Sequence, residues 1–129
     1  MRYSYQAGID ILVNNAAIDA PPGNAWDLED HDWERTIAVN LSGVFYCSRS
    51  ALKPMLKAGS GCIVNISSRA ALLGYKGMSP AYNASKSGLL GLTMAFSAQV
   101  ADRGIRVNAI TPGLVESRDF GWSLSERAV

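Results

Sequence analysis

The sequence has almost no net charge and no long apolar run. Its 12 basic and 11 acidic side chains leave a net charge of +1, so we expect no basic surface for nucleic acid or anionic membrane. The apolar runs are far shorter than a bilayer span, and the N-terminal "MRYSYQAG" lacks the apolar core of a signal peptide. We therefore predict a cytoplasmic protein that binds neither nucleic acid nor a membrane.

Cysteine and histidine are also scarce. Cys47 and Cys62 occur without a Cys-x-x-Cys or Cys/His spacing, and each lies in an apolar run, which is typical of buried, reduced thiols. The single histidine, His31, lies in an acidic helix start without a partner at metal-ligand spacing, and we expect it to be solvated. The sequence therefore predicts no metal site.

Three short runs of β-branched and apolar residues alternate with two helical segments. The runs at 9–15, 62–67 and 106–111 are nearly continuous in apolar character, as in parallel strands buried on both faces under two helix layers. The helical segments extend from about residue 30 to 57 and from about 80 to 102. This alternation over 129 residues predicts one α/β domain with a doubly wound parallel sheet and right-handed crossovers.

Each helical segment has one irregular feature. Pro54 lies near the end of the first segment, where we expect a kink or a frayed last turn. The second segment carries a stripe of small residues, Ala84, Gly88, Gly91 and Ala95. Such a stripe permits either close packing of the helix on the sheet or close approach of a helix from another subunit.

The second helical segment begins with a tyrosine and a lysine in "AYNASK" (81–86). Tyr82 and Lys86 are four residues apart and so share a helix face. Ser79 and Pro80 suit the N-cap and the first helical position. A nearby cation and the positive helix end both favour the ionised phenol. The pair predicts a tyrosine with a lowered pKa that acts as an acid or base, although a tyrosine packed on a lysine stem gives the same pattern.

Polar residues follow the ends of the predicted strands, in "NNAA" (14–17), "NISS" (65–68) and "TPG" (111–113). In open parallel sheets the ligand lies beyond the carboxyl ends of the strands. Asn40 is a polar break within the otherwise apolar first helical segment. We expect one crevice to collect Asn15, Ser68, Tyr82, Lys86 and the backbone around Pro112 and Gly113.

Five motifs in this chain resemble those of the short-chain dehydrogenase/reductase family. "LVNNAA" (12–17), "VNLSGVF" (39–45), "IVNISS" (63–68), "YNASK" (82–86) and "RVNAITPG" (106–113) follow the order and approximate spacing of the family. The resemblance covers roughly residues 9 to 118. It implies a Rossmann-type fold and an oxidoreductase that transfers hydride between NAD or NADP and a ketone or secondary alcohol.

The resemblance also implies roles for individual residues. Tyr82 is the general acid/base that exchanges a proton with the substrate oxygen, and Lys86 lowers its pKa and holds the nicotinamide ribose hydroxyls. Ser68 hydrogen-bonds the substrate oxygen, and Asn40 supports a water-linked proton relay to Lys86. Residues 14–17 line the cofactor groove and brace the strand ends. The implied cofactor-binding residues are Asn14, Asn15, Ala16, Ala17, Tyr82, Lys86, Pro112, Gly113, Val115 and Ser117.

The chain departs from the family pattern in several places. Ala17 stands where the family usually has glycine, and the loop from 68 to 82 is about one residue longer than the common spacing, so Ser67 is the alternative to Ser68. The glycine-rich turn that holds the cofactor pyrophosphate is absent. The glycine-containing stretch "GSGCIV" (59–64) is not that turn, because it precedes a strand and cannot open a helix. The residue that selects NAD or NADP is missing with it.

We therefore interpret residues 1–129 as a single partial domain, the catalytic half, without the N-terminal βαβ unit and the C-terminal strand. Two functions stay open: an oxidoreductase, and an inactive truncated relative that acts through association with a full-length subunit. We expect a homo-oligomer formed through the helices at 30–57 and 82–102. Within the enzyme class, a sugar or polyol dehydrogenase and a keto-acyl or ketone reductase are both compatible with the sequence.

Overall fold

In the computed structural model, which describes residues 8–21, 23–74 and 76–113, three strands form one parallel sheet. Strand β1 (Ile11–Asn14) pairs with β2 (Gly61–Ile66), and β2 pairs with β3 (Ile105–Ile110). The order across the sheet is β1, β2, β3, with all three strands pointing the same way. The predicted parallel sheet with helical crossovers is confirmed.

The crossovers contain α1 (Asp30–Ile37) and α2 (Gly43–Ala58) between β1 and β2, and α3 (Pro80–Val100) between β2 and β3. The first predicted helical segment is therefore interrupted, by a π-helical turn at Ala38–Ser42. Pro54 lies inside α2, and the helix continues past this proline to Ala58. Short 3₁₀ turns occur at Ala25–Asp27, Arg69–Ala71 and Ala101–Arg103.

Two glycines in the left-handed region return the chain from the helices to the sheet. Gly59 (φ 68°) follows α2, and Gly104 (φ 72°) follows the 3₁₀ turn after α3, where the sequence predicts the helix to end. A Cβ on Gly104 would lie 2.2 Å from the carbonyl oxygen of Gly59. The two turns therefore pack backbone against backbone, and only glycine fits at position 104.

The described helices pack on one face of the sheet. Together with inward-facing strand residues they enclose a core of Ala51, Leu52, Met55, Ile63, Phe96, Val100, Ile105 and Val107. The opposite face carries the alternate strand residues and is open, with Ile11 66%, Val13 54% and Ile110 51% exposed. Burial of the strands on both faces is thus not found among the described residues, because these helices cover only one side of the three-stranded sheet.

The two cysteines and the single histidine differ in their exposure to solvent. Cys47 is exposed and Cys62 is half-buried, so the prediction of two buried thiols is wrong; Cys47 lies on an outward position of α2 despite its apolar neighbours in sequence. His31 is exposed as expected.

Among the described residues, no cluster of His, Cys, Asp or Glu is arranged to hold a metal ion. None of the helices in the described ranges combines the length and hydropathy needed to cross a bilayer.

Candidate active site

Beyond Ile66 the chain continues as an extended segment held against the residues that follow β3. The backbone N–H of Ser67 donates to the carbonyl of Ile110 at 2.8 Å, and that of Arg69 donates to the carbonyl of Pro112 at 2.9 Å. These bonds fix Ser68 at the carboxyl edge of the sheet, beside the 111–113 loop. The predicted meeting of "NISS" and "TPG" at one edge is confirmed.

Side chains from the first turns of α3 fasten the 70–73 loop to that helix. Asn83 donates to two carbonyls of the loop, at 2.8 and 2.9 Å, and Ser87 donates to a third at 2.9 Å. At the start of α3, Pro80 occupies the first helical position as predicted. Ser79 occupies the N-cap position, but its hydroxyl is buried and makes no cap bond. The described contacts thus tie the loop after Ser68 to the helix that carries Tyr82 through side chains that sequence reasoning did not single out.

Ser68 and Tyr82 meet at this edge. Tyr82 is half-buried in the first turn of α3, and the Ser68 side chain lies close enough to the phenol to lower its pKa through hydrogen bonding. The Ser68 oxygen also accepts the backbone N–H of Ala70 at 3.1 Å. This second bond caps the 3₁₀ turn that follows and orients the Ser68 hydroxyl. Two hydroxyls therefore lie together where a parallel sheet binds its ligand.

The pKa of Tyr82 is raised from its ordinary value. Burial of the phenol is the largest cause, the hydrogen bond with Ser68 opposes it, and the negative charge of Asp19 adds to the increase. The Lys86 ammonium lies over the Tyr82 ring, 5.5 Å from its centre, so the predicted shared helix face is confirmed. The predicted lowering of the Tyr82 pKa is not found, because the effect of burial exceeds that of the opposing interactions.

The side-chain ammonium and the backbone carbonyl of Lys86 are both hydrogen-bonded, to Ile66 at the end of β2 and to Ser67 after it. Lys86 is 3% exposed, and burial lowers the pKa of its ammonium. The ammonium donates to the carbonyl of Ile66 at 2.9 Å, while the Lys86 carbonyl accepts the hydroxyl of Ser67 at 2.8 Å. Within the described residues, Ile66 takes one of the three N–H donors of the ammonium. The Ser67 hydroxyl is committed to the backbone of α3, so the geometry favours Ser68 over Ser67 as the partner of Tyr82.

Asn40 lies in the π-helical turn and is fully buried. Its amide accepts the N–H of Ile18 and donates to the carbonyl of Ile18, both at 2.8 Å, and also donates to the Ser85 hydroxyl at 3.1 Å. Ser85 in turn donates to the carbonyl of Tyr82 at 2.8 Å. In the described residues, the Asn40 side chain therefore connects the loop after β1 to the Tyr82 backbone through Ser85. The water-linked relay from Asn40 to Lys86 stays a prediction.

Asn14 is buried inside a polar chain that crosses the sheet. It donates to the Ser48 hydroxyl of α2 at 3.0 Å and to the Asn65 side chain at 2.8 Å, and Asn65 donates to the Thr93 hydroxyl of α3 at 2.9 Å. Thr93 completes the chain by donating to the carbonyl of Leu89 at 2.7 Å. The Asn14 amide thus braces two strands and two helices, as predicted, and its contact with a cofactor stays a prediction.

The other residues assigned to the cofactor are distributed along the same edge. Asn15, Ala16, Ala17 and Gly113 are exposed, and Pro112 is half-buried. Val115 and Ser117 lie outside the described residues. Positions 16, 17 and 113 are occupied by two alanines and a glycine, so this edge is lined by small residues there.

The family model described as short chain dehydrogenase matches residues 3–127, and the chain belongs to this family. It is 46% identical over 109 residues to an oxidoreductase of Thermotoga maritima described as uncharacterized, covering 84% of this chain and 43% of that protein. It is 41% identical over 107 residues to a 3-oxoacyl-[acyl-carrier-protein] reductase of Synechocystis sp., covering 83% of this chain and 42% of that protein.

The fold has a counterpart among solved structures. An NAD⁺-bound xylitol dehydrogenase superposes with a TM-score of 0.81 at 33% identity, over 85% of this chain and 42% of that one. The fold is therefore Rossmann-type, and the family is one of oxidoreductases. The chain spans less than half the length of the relatives that it matches.

Proposed function

We propose that this chain carries the proton-handling part of an oxidoreductase that transfers hydride between NAD or NADP and a ketone or secondary alcohol. The observation that supports this most is the meeting of the Tyr82 and Ser68 hydroxyls beside the Lys86 ammonium, at the carboxyl edge of the sheet. Tyr82 is the general acid/base, Ser68 the hydrogen-bond donor to the substrate oxygen, and Lys86 the ligand of the ribose.

The residues at this edge fit a nicotinamide dinucleotide. Lys86 uses one N–H on Ile66, and its other two N–H donors match two neighbouring ribose hydroxyls. The small residues at 16, 17 and 113 and the backbone of Asn15 and Pro112 would line the ring. When bound, the dinucleotide supplies or accepts the hydride. The similarity to an NAD⁺-bound enzyme supports this class of cofactor, and titration with NADH and NADPH would decide between the two.

The raised pKa of Tyr82 favours its action as an acid near neutral pH. The phenol stays protonated there, so in reduction Tyr82 donates its proton to the carbonyl oxygen as negative charge develops. The Ser68 hydroxyl stabilises the same oxygen by a hydrogen bond. Alcohol oxidation needs the phenolate instead, and its rate should therefore rise with pH. Asn40 acts here by positioning Tyr82 and the 15–20 loop.

Asp19 offers a test of this charge balance. Its carboxylate raises the pKa of Tyr82, so Asp19→Asn should lower that pKa and shift the rise of the oxidation rate to lower pH. The measurement is the pH dependence of kcat for the alcohol in the wild type and the variant. Asp27→Asn, which removes an exposed carboxylate from the 3₁₀ turn at 25–27, is the control. An unchanged or upward-shifted profile for Asp19→Asn would contradict the assignment.

Deuteride transfer tests the proposed function directly. The chain, alone and in the longest version that its gene encodes, is incubated with deuterated NADH or NADPH and either a ketose or a 3-oxoacyl ester. We expect one deuterium on the carbinol carbon of the product, detected by mass spectrometry. The two substrates separate the polyol and keto-acyl classes, to which the xylitol dehydrogenase and the 3-oxoacyl reductase belong by name. Absence of deuterium with both cofactors and both substrates would favour the inactive relative.

Self-association through α2 and α3 is supported by an open groove between them. The groove encloses about 500 Å³ and is lined by Leu41, Ser42, Phe45, Tyr46, Gly88, Gly91, Leu92 and Ala95. Of the small-residue stripe, Gly88 contacts Leu41 within the chain, whereas nothing lies within 4 Å of a Cβ placed on Gly91. Gly88, Gly91 and Ala95 of the stripe therefore line the groove, which favours a contact of these residues with a helix of another subunit.

Gly91→Lys should weaken this association. The position is open, so the chain can accommodate the side chain, but its charge would have to be buried in the contact. We expect light scattering to give a smaller mass than for the wild type at the same concentration. Gln99→Lys, at an exposed position of α3 outside the groove, should leave the mass unchanged. Equal masses for wild type and Gly91→Lys would place the association elsewhere.

A further inference from the structure

The end of β2 makes two contacts with one lysine through two consecutive residues. The Ile66 carbonyl accepts the Lys86 ammonium at 2.9 Å, and the Ser67 hydroxyl donates to the Lys86 carbonyl at 2.8 Å. One contact is made by the tip of the side chain and the other by the backbone from which it starts. The flexible stem of Lys86 is therefore held between the last residue of β2 and the residue that follows it.

The strand end that makes these contacts is itself fixed. Ile66 is the last paired residue of β2 and faces Ile110 in the register, and the Ser67 N–H donates to the Ile110 carbonyl at 2.8 Å. Ser67 is 4% exposed, so water does not compete strongly for its hydroxyl. The Ser67 oxygen therefore projects from a rigid support and determines how far the second turn of α3 lies from the sheet.

The hydroxyl of Ser67 is not needed to satisfy the Lys86 carbonyl. A carbonyl inside an α-helix already accepts the N–H of the residue four positions later, and a carbonyl oxygen has two lone pairs. The Ser67 contact is thus an addition to a complete helix bond. Its effect is to attach α3 to β2 at the residue whose ammonium serves the proposed active site, while Ser68, one residue later, serves Tyr82.

We infer that Ser67 is a positioning residue for Lys86: its hydroxyl sets the place of the Lys86 backbone, and thereby the distance over which the ammonium reaches the Ile66 carbonyl. The consequence for the enzyme rests on the proposed function, since a displaced ammonium would meet the ribose hydroxyls less well. The geometric claim concerns only this chain. It can therefore be tested without cofactor, substrate or turnover.

The test is NMR of the 129-residue chain labelled with ¹³C at the lysine Cε. The chain has only four lysines, so the spectrum contains few signals. The Lys86 signal is assigned by its loss in Lys86→Arg. In Ser67→Ala we expect the Lys86 signal to move and its titration midpoint to rise toward the ordinary lysine range, because the ammonium gains contact with water. Ser67→Thr, which keeps the hydroxyl, should restore the wild-type signal.

Ser87→Ala is the matched control. It removes a serine hydroxyl that donates to a backbone carbonyl at 2.9 Å, one residue from Lys86, but the carbonyl belongs to Ala71. Its Lys86 signal should match the wild type. If Ser67 had a purely structural role, Ser67→Ala would unfold at a lower temperature than the wild type, but the titration midpoint of Lys86 would be unchanged. That result would overturn the inference.

Ser67→Cys covers the case in which Ser67→Ala does not fold. The thiol is similar in shape to the hydroxyl but a much weaker donor, so the chain should fold while the contact with Lys86 weakens. A Lys86 signal shifted in the same direction as expected for Ser67→Ala would support the inference. A Lys86 titration identical to that of the wild type would overturn it.

Discussion

Replacing Tyr82 by Phe is expected to lower turnover by about two to four orders of magnitude. The substitution removes the transferable proton and keeps the ring that lies under the Lys86 ammonium. Binding of the nicotinamide dinucleotide should change little, because Lys86 and the edge formed by 15–17 and 112–113 stay in place. The measurement compares kcat with the dissociation constant of the cofactor.

Two further variants show whether the effect belongs to Tyr82. Tyr46→Phe makes the same chemical change at an exposed tyrosine of α2 and should leave turnover unaltered. Lys86→Met removes the ammonium and should weaken both turnover and cofactor binding. Near-normal turnover of Tyr82→Phe with a ketone would remove Tyr82 from the mechanism and leave the Ser68 contact without its proposed purpose.

The strands and the Tyr82–Lys86 pair were predictable because each depends on local sequence alone. Continuous β-branched runs such as 62–67 have few alternatives to a buried parallel strand, and the observed β2 covers Gly61–Ile66. An i, i+4 pair on a helix must share a face, and the ammonium lies over the ring. Both predictions needed only the period of the secondary structure.

The π-helical turn at 38–42 was not predictable from the same periodicity. Asn40 is a polar break in the sequence, but a one-residue insertion in the helical repeat leaves the apolar spacing nearly unchanged. The reason for the turn lies far along the chain, in the Ile18 backbone and the Ser85 hydroxyl that Asn40 binds. A contact across 22 residues leaves no mark in local patterning.

The direction of the Tyr82 pKa shift could not be read from spacing either. The sequence shows that a cation lies four residues away, but not how much of the phenol is covered. Burial is the largest cause of the raised pKa, and Asp19, from the loop after β1, adds to it. Desolvation and a distant carboxylate are properties of the assembled site, so the sign followed only from the structure.

The contacts that assemble the site did have a signal in the sequence. In "YNASKS" (82–87) every second residue or so is a short polar side chain, although a helix interior favours longer or apolar ones. Asn83 and Ser87 bind the 70–73 loop, and Ser85 binds Asn40 and the Tyr82 carbonyl. Short polar residues at the start of this helix therefore indicate loop attachment.

Replacing Asn40 by Leu is expected to lower the free energy of unfolding by about 2 to 5 kcal/mol. Leu has the same branching as Asn but is larger, so some overpacking adds to the cost. Both backbone groups of Ile18 lose their partner, and the Ser85 hydroxyl loses a donor. Ser85 is fully buried and Ile18 is half-buried, so water replaces these bonds poorly. Because the same bonds connect the 15–20 loop to the Tyr82 backbone, the loop should also exchange its amide hydrogens faster.

The matched control is Asn108→Leu, which makes the same change at an exposed position of β3 on the open face of the sheet. Its effect on stability should stay within about 0.5 kcal/mol. Urea denaturation of the three proteins gives the stabilities, and hydrogen exchange at Ile18 gives the local effect. If Asn40→Leu lost less than about 1 kcal/mol and Ile18 exchanged as in the wild type, the polar link through Asn40 would not hold the loop to Tyr82. The π-helical turn would then need another cause.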